Sequence, residues 1–399
     1  AAALDDRGDV SGTCRALHAA AAKRWLERMR YDGVFSVMIS IVHSGAVCPA
    51  QALLRAPLRP ACELSVVIPV RDEEASLPGT LAALARQRDT DGSPLAPDRY
   101  EIILLINNAT DGSAVVARAF AMTHPELALH VVEVELPVDE AHVGRARRML
   151  MDAAAARLLS LGRERGVIAT TDADTIVAPD WIAMTLAEVA DGADAVAGRI
   201  LVDPAGFDLH ERHARAFHLR DVTYRYLVTE LEARLDPDPS DPWPRHFQHF
   251  GASIAVTVDA YRRSGGIPPL PFLEDVALYD ALRRIGARIR HSPAVRVVTS
   301  ARPVGRTGFG FAVQLQQWSG MGERHEPFLV ESLPAILARI SERQGLRDAD
   351  RPATCQPLVP IDMAISDLRR YLAEWRSGSA RSIHALEQVQ PVRFLTAAD

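Results

Sequence analysis

The chain has 399 residues, 48% of them hydrophobic and 24% charged, with a formal net charge of -6 at pH 7. That balance belongs to a globular protein long enough for one large domain or two modest ones. It excludes a general nucleic-acid binder, which needs a basic surface, but leaves local arginine clusters able to hold a small phosphorylated ligand.

Residues 1–60 read as an N-terminal extension of unknown role, with an alanine-rich helix candidate from Arg15 to Arg30 and a linker from Pro49 to Pro60. Val34 to Val47 is too short to span a bilayer and is interrupted by His43, Ser44 and Gly45. Asp5, Asp6 and Asp9 stand where a signal peptide carries positive charge, so no transmembrane or secretory segment is expected. Cys14, Cys48, Cys62 and Cys355 form no CxxC pair and no zinc-ligand spacing, and a reducing, cytoplasmic setting follows as the expectation.

The texture changes at Leu64. LSVVIP is a continuous apolar, β-branched run ending at Pro69, the pattern of a strand buried on both faces. Ser76 to Arg88 reads as a helix and Glu101 to Ile106 as a second buried strand. Asp111-Gly112-Ser113 opens a helix through Ala121, and Leu129 to Glu135 is a third strand. Gly144 to Leu161 is a long helix, followed by a fourth strand at Val167 to Thr171. Strands alternating with helices indicate an α/β protein with a Rossmann-like, doubly wound, mostly parallel sheet. Ala195 to Val202 is another strand and His210 to Leu235 a long helix, while DPDPSDPWP from Asp236 to Pro244 is a loop, because proline lacks a donor and fixes φ. Short strands are expected at Ser253 to Val258, Arg288 to His291 and Val295 to Thr299, with a helix from Val276 to Ile285. Residues 331–399 read as largely helical.

Open parallel sheets bind ligands beyond the carboxyl ends of their strands. VIATTDADT puts Asp172 and Asp174 at such an end, where two carboxylates can turn toward one hard cation and leave coordination sites for phosphates. A solvated turn with an aspartate cap is the competing reading. GRARR, from Gly144 to Arg148, begins a helix with arginines, either as a site for an anion or as a plain basic surface. Glu274-Asp275 opens a helix, where an acidic pair complements the helix dipole.

LSVVIPVRDEEASLPGTL, NNATDGS, GRARR and TTDADT, in that order, resemble the family 2 glycosyltransferases of GT-A fold, over Leu64 to Trp318. The resemblance implies transfer of a sugar, by a hexosyltransferase, from a nucleotide-diphosphate-sugar to an acceptor hydroxyl. It implies a glycosyltransferase domain over 61–320, divided into a nucleotide-sugar half (61–202) and an acceptor half (203–320), with a helical C-terminal extension over 321–399. Asp172 and Asp174 would bind Mg²⁺ or Mn²⁺, with Asp172 and Ala173 against the donor diphosphate. Pro69, Val70, Arg71 and Glu73 would meet the base and ribose, although Asp72 replaces the family's asparagine. Asn107, Asn108 and Asp111 would face the base. Arg147 is the first choice for the phosphates and Arg145 the second. Asp275 would take the proton from the acceptor in an inverting reaction, with Glu274 orienting it or contacting the acceptor; Gly251 would line the acceptor side, and Trp318 would stack on a sugar there or pack in the core.

Departures from the family limit this assignment. Asn107 and Asn108 stand where aspartates are common, so a UDP-sugar is the first expectation and a GDP-sugar remains open. Gln317 replaces the arginine of the Gln-x-x-Arg-Trp element, which excludes a processive synthase. His246 and His249 read as structural histidines or a third metal ligand, and Arg302 and Arg306 as surface arginines or a loop closing over phosphates. The rival classes are a sugar nucleotidyltransferase, a retaining transferase of the same fold, and a catalytically degenerate nucleotide-sugar-binding protein. Acidic Val70 to Ser76 argues against the first, and intact Asp172, Asp174 and Asp275 against the last.

Overall fold

The structure, a computed structural model, describes residues 54, 56–206, 212–302, 305, 310–345 and 358–377. The Arg15 to Arg30 helix, the Val34 to Val47 stretch, half of the Pro49 to Pro60 linker, Cys14, Cys48, Cys355, Arg306 and the end of the C-terminal extension lie outside the described residues. Two compact units are present. The larger comprises the described parts of Ser44–Leu219 and Glu232–Arg324; the smaller combines Arg220–Leu231 with the described residues from His325 onward.

In the larger unit one eight-stranded sheet runs in the order β3-β2-β1-β4-β7-β6-β8-β5. Its strands are β1 (Leu64–Val70), β2 (Tyr100–Asn107), β3 (Ala128–Val134), β4 (Val167–Thr170), β5 (Thr175–Val177), β6 (Ala195–Val202), β7 (Ile254–Thr257) and β8 (Ile289–Thr299). The first four are parallel neighbours, as expected; β7 runs antiparallel between β4 and β6, and β5 antiparallel to β8. The helices of this unit are α1 (Leu77–Ala85), α2 (Ser113–Thr123), α3 (Val143–Ser160), α4 (Trp181–Ala190), α6 (Val258–Arg263), α7 (Glu274–Arg284) and α8 (Phe311–Glu323). Helix α5 (Arg212–Leu235) contributes residues to both units.

Alternation along β1 explains its continuous apolar sequence. Leu64, Val66, Ile68 and Val70 meet a core completed by α1, α2 and α4, while Val67 meets one completed by α3, α6 and α7. Each such side chain contributes roughly 1.5–3 kcal/mol on burial. Edge strand β3 is only partly buried.

Two strand expectations are corrected. Arg288 to His291 and Val295 to Thr299 are one strand, β8, whose register against β6 shifts so that Ser292 pairs with Gly198 and Arg296 with Arg199. Pro293 lies in the skipped segment, where its missing N–H breaks no ladder bond. The run expected to end at Val258 ends at Thr257, whose side chain accepts from Ala260 N–H and caps α6.

The smaller unit holds a two-stranded antiparallel ribbon, β9 (Leu329–Val330) with β10 (Val359–Pro360), and helices α9 (Leu333–Arg343) and α10 (Ile361–Arg376). Ser332 caps α9, and Arg376 donates to both oxygens of Glu230 at 2.8 Å. Among the described residues no helix is long and apolar enough to cross a membrane.

Candidate active site

The carboxyl ends of β1 and β4 lie side by side, with Val67 opposite Thr170, and the start of β7 faces the end of β4, with Thr170 opposite Ile254. Beyond this edge the chain turns through Asp172-Ala173-Asp174, closed by Thr175 N–H donating to the Asp172 carbonyl at 3.2 Å. Thr80 Oγ1 of α1 donates to the Ala173 carbonyl at 2.9 Å, and Ala173 is buried. The two aspartates are thus held on a fixed turn.

Each meets an arginine. Arg147, from the second turn of α3, donates from Nη2 to Asp172 Oδ1 at 2.7 Å and from Nη1 to Glu274 Oε1. It is 3% exposed, and its Nε has no hydrogen-bond partner. Gly251 leaves room for this guanidinium, since a Cβ there would lie 2.5 Å from Arg147 Nη1. Asp275 is fixed by backbone: Gly251 N–H donates to its Oδ2 at 2.7 Å and Val276 N–H to its Oδ1 at 2.8 Å. Leu273, immediately before α7, has φ 59°, an uncommon conformation for a side chain of its size that places strain beside Glu274.

On the other side Arg302, which follows β8, donates to Glu73 Oε2 at 2.7 Å and Oε1 at 2.6 Å, and lies 3.2 Å from Asp174 Oδ2. Around these two guanidinium groups stand Glu73, Asp172, Asp174, Glu274 and Asp275, a formal excess of three negative charges when every carboxyl is ionised. Burial, then the charge of Asp172, pushes Asp174 up to about 6 despite Arg302. Burial also raises Asp172, with Arg147 opposing and Asp275 adding to it, although 37% of its side chain still meets solvent. Glu274 is pushed up to about 7 by burial, against Arg147 and with Asp275.

Two loops beside the cluster are latched together. Asp72 Oδ1 accepts from Thr110 N–H at 2.7 Å, Asp111 Oδ2 from Glu74 N–H at 2.8 Å, and Glu74 Oε2 from Gly112 N–H at 2.9 Å. Asp111 therefore joins the loops after β1 and β2. Pro69 and Val70 end β1, and Arg71 Nη1 donates to the Ala141 carbonyl at 2.9 Å. Asn107 is buried at the end of β2. The Asn108 amide bonds the Leu136 backbone in both directions, at 2.9 and 3.1 Å.

The start of α3 is occupied by protein. His142 caps it by accepting from Arg145 N–H, Arg145 pairs with Glu140 at 3.1 Å, and a Cβ on Gly144 would lie 1.9 Å from the Leu270 carbonyl oxygen. Trp318 is 5% exposed in α8, its ring centroid 6.0 Å from that of His218. His246 accepts from Gln248 N–H and meets the Ser292 carbonyl, and His249 stacks on Tyr279 at 3.9 Å. Among the described residues no three His, Cys, Asp or Glu side chains are grouped to hold a metal, so the histidines complete no such set. A cavity of about 700 Å³ opens at the other end of the strands, lined by Arg99, Arg165 and α4, and contains none of the predicted site residues.

Sequence reasoning undervalued Arg302. Its partners lie 229 and 128 residues away, and only its place in an arginine-bearing loop hinted at a role.

Residues 65–249 match the family model described as glycosyl transferase family 2. The chain carries a domain of that family over this span. No curated protein matches the sequence. Solved structures similar to this glycosyltransferase include a mannosyltransferase from Pyrobaculum calidifontis in complex with GDP-Man and Mn²⁺, at 18% identity and TM-score 0.42, covering 94% of this chain and 88% of that one. Residues 1–349 of S. aureus TarS with UDP match at 14% identity and TM-score 0.40, covering 84% and 94%. Glucosyl-3-phosphoglycerate synthase from Mycobacterium tuberculosis, with Mn²⁺, UDP-glucose and phosphoglyceric acid, matches at 17% identity and TM-score 0.36, covering 76% and 89%. The ligands named for these proteins are properties of those proteins.

Proposed function

We propose that this family 2 glycosyltransferase moves a sugar from a nucleotide-diphosphate-sugar to an acceptor hydroxyl with inversion, using Asp275 as base and a divalent cation at Asp172 and Asp174. The observation that carries the proposal is the convergence of Asp172, Glu274 and Asp275, from the two halves of the domain, around Arg147 and Gly251. Its backbone bonds orient the Asp275 carboxylate, and a base near an acceptor hydroxyl removes the proton as the oxygen attacks from the face opposite the leaving group. Glu274, tied to Arg147, supports the geometry of its neighbour.

The residues fit a cation through their chemistry. Three uncompensated negative charges favour one, and a pair of carboxylates leaves most coordination positions to water and diphosphate oxygens, as Mg²⁺ or Mn²⁺ prefers. Bound there, the ion would neutralise charge developing on the departing nucleoside diphosphate. Pro69 to Glu73, Asn107 and the latched loop carrying Asp111 would frame the nucleotide, with UDP as the first reading and GDP as the second. Asn108, engaged with Leu136, would shape that loop.

The test is Asp275→Asn with a panel of UDP- and GDP-sugars. Turnover should fall about 10²–10⁴-fold while nucleotide binding in Mn²⁺ stays within about twofold, and the wild-type product should carry the inverted anomer. Undiminished turnover removes Asp275 as base, and a retained anomer removes the inverting mechanism.

A further inference from the structure

Arg147 and Arg302 both neutralise the Asp-x-Asp turn, but they are bound differently. Arg147 is buried to 4% side-chain exposure, whereas Arg302 keeps 27% and reaches Asp174 only after forking Glu73. Its contact with Asp174, 3.2 Å from Oδ2, is the longest of its three carboxylate contacts.

We infer that Arg302 is a resident counter-ion that holds the place of a divalent cation on Asp174 and vacates that carboxylate when the cation binds. This rests on the reading of Asp172 and Asp174 as a cation site. A hard cation takes carboxylate oxygens at ~2.0–2.1 Å, and the Arg302 guanidinium stands beside Asp174 Oδ2 at 3.2 Å. Two positive charges on one carboxylate repel, so guanidinium and cation compete. Glu73 makes the exchange local: its two bonds keep Arg302 at the site while the third contact is released. The Nη2 N–H released from Asp174 can donate to a diphosphate oxygen, so a nucleoside diphosphate rewards its departure. Cation and nucleotide then strengthen each other's binding, as linkage requires. Without Arg302 the cation binds tighter alone, and its affinity responds less to nucleotide.

The experiment titrates Mn²⁺ into the full chain by electron paramagnetic resonance, with and without UDP or GDP. Wild type is compared with Arg302→Gln, Arg302→Lys and Arg296→Gln, the last removing a positive charge that faces Asp180 instead. Circular dichroism checks each fold, and Arg302→Lys carries the comparison should the glutamine variant fail to fold. Arg302→Gln should bind Mn²⁺ on the order of tenfold tighter, with a smaller gain on adding nucleotide. Arg302→Lys, which keeps the charge but not the fork, should lie between it and wild type, and Arg296→Gln should match wild type. Equal or weaker affinity in Arg302→Gln overturns the inference, as does equal tightening in Arg296→Gln. If wild type takes up Mn²⁺ normally, such a result leaves the cation site standing. If neither wild type nor Arg302→Gln binds Mn²⁺, with or without nucleotide, the cation site falls and the inference with it.

Discussion

The α3 side and the β8 side of the acidic cluster solve one electrostatic problem in two ways. On the α3 side Arg147 is enclosed, spans Asp172 and Glu274, and rests on a glycine that admits no side chain. On the β8 side Arg302 is half-open and shares its charge between Glu73 and Asp174. Removing one partner of a buried ion pair strands the other, whereas a solvent-accessible pair is readily replaced by water or a ligand. The difference separates a strut from an exchangeable contact, and stability measurements should resolve it.

The largest effect should follow Arg147→Met. Asp172 and Glu274 would lose their buried counter-charge, at a cost of about 3–5 kcal/mol in urea unfolding; a loss no greater than that of Arg302→Gln would erase the distinction. Gly251→Ala should come next, because the new Cβ collides with the guanidinium and must displace it, at about 1–3 kcal/mol in thermal unfolding. An unchanged melting temperature would mean that Arg147 is free to shift.

Away from the cluster, His246 provides a contrast in sign. Burial, then the nearby His291, pulls it down to about 3. The unfolded chain therefore takes up a proton first as pH falls below the usual histidine range, and folding loses stability through that window. Urea melts should show His246 contributing about 1–2 kcal/mol to the loss between pH 7 and pH 5, and His246→Gln should remove that share. Glu274, raised to about 7, acts oppositely: its contribution is fully present below its unfolded value and is lost as pH rises through about 7. Arg302→Gln, which leaves buried Glu73 without its guanidinium, should still cost less than Arg147→Met, at about 1–3 kcal/mol, because Arg302 itself keeps 27% side-chain exposure.

Legibility in the sequence followed the range of the interactions. Strands β1, β2 and β4 were readable because burial on both faces demands continuous apolar residues, and Asp172, Asp174, Glu274 and Asp275 because each sits at an element boundary. Three-residue β5 carries too little pattern to announce itself, and Pro293 made one strand look like two. The pairing of Arg147 with Glu274 joins residues 127 apart, and that of Arg302 with Glu73 residues 229 apart. No local period records such pairs; they exist only once the sheet brings the loop after β1, the end of β4 and the start of α7 to one edge. The same limit applies to Asn108, whose amide looked free for a base until the chain returned Leu136 to it.

The most direct measurement is calorimetric titration of UDP and GDP into wild type and Asp174→Ala, each in Mn²⁺ and in chelator. The account predicts that one nucleotide binds wild type in Mn²⁺, that chelator weakens it sharply, and that Asp174→Ala behaves in Mn²⁺ as wild type does in chelator. Equal affinity in all four conditions would contradict a cation bridging the Asp172–Asp174 turn to the donor.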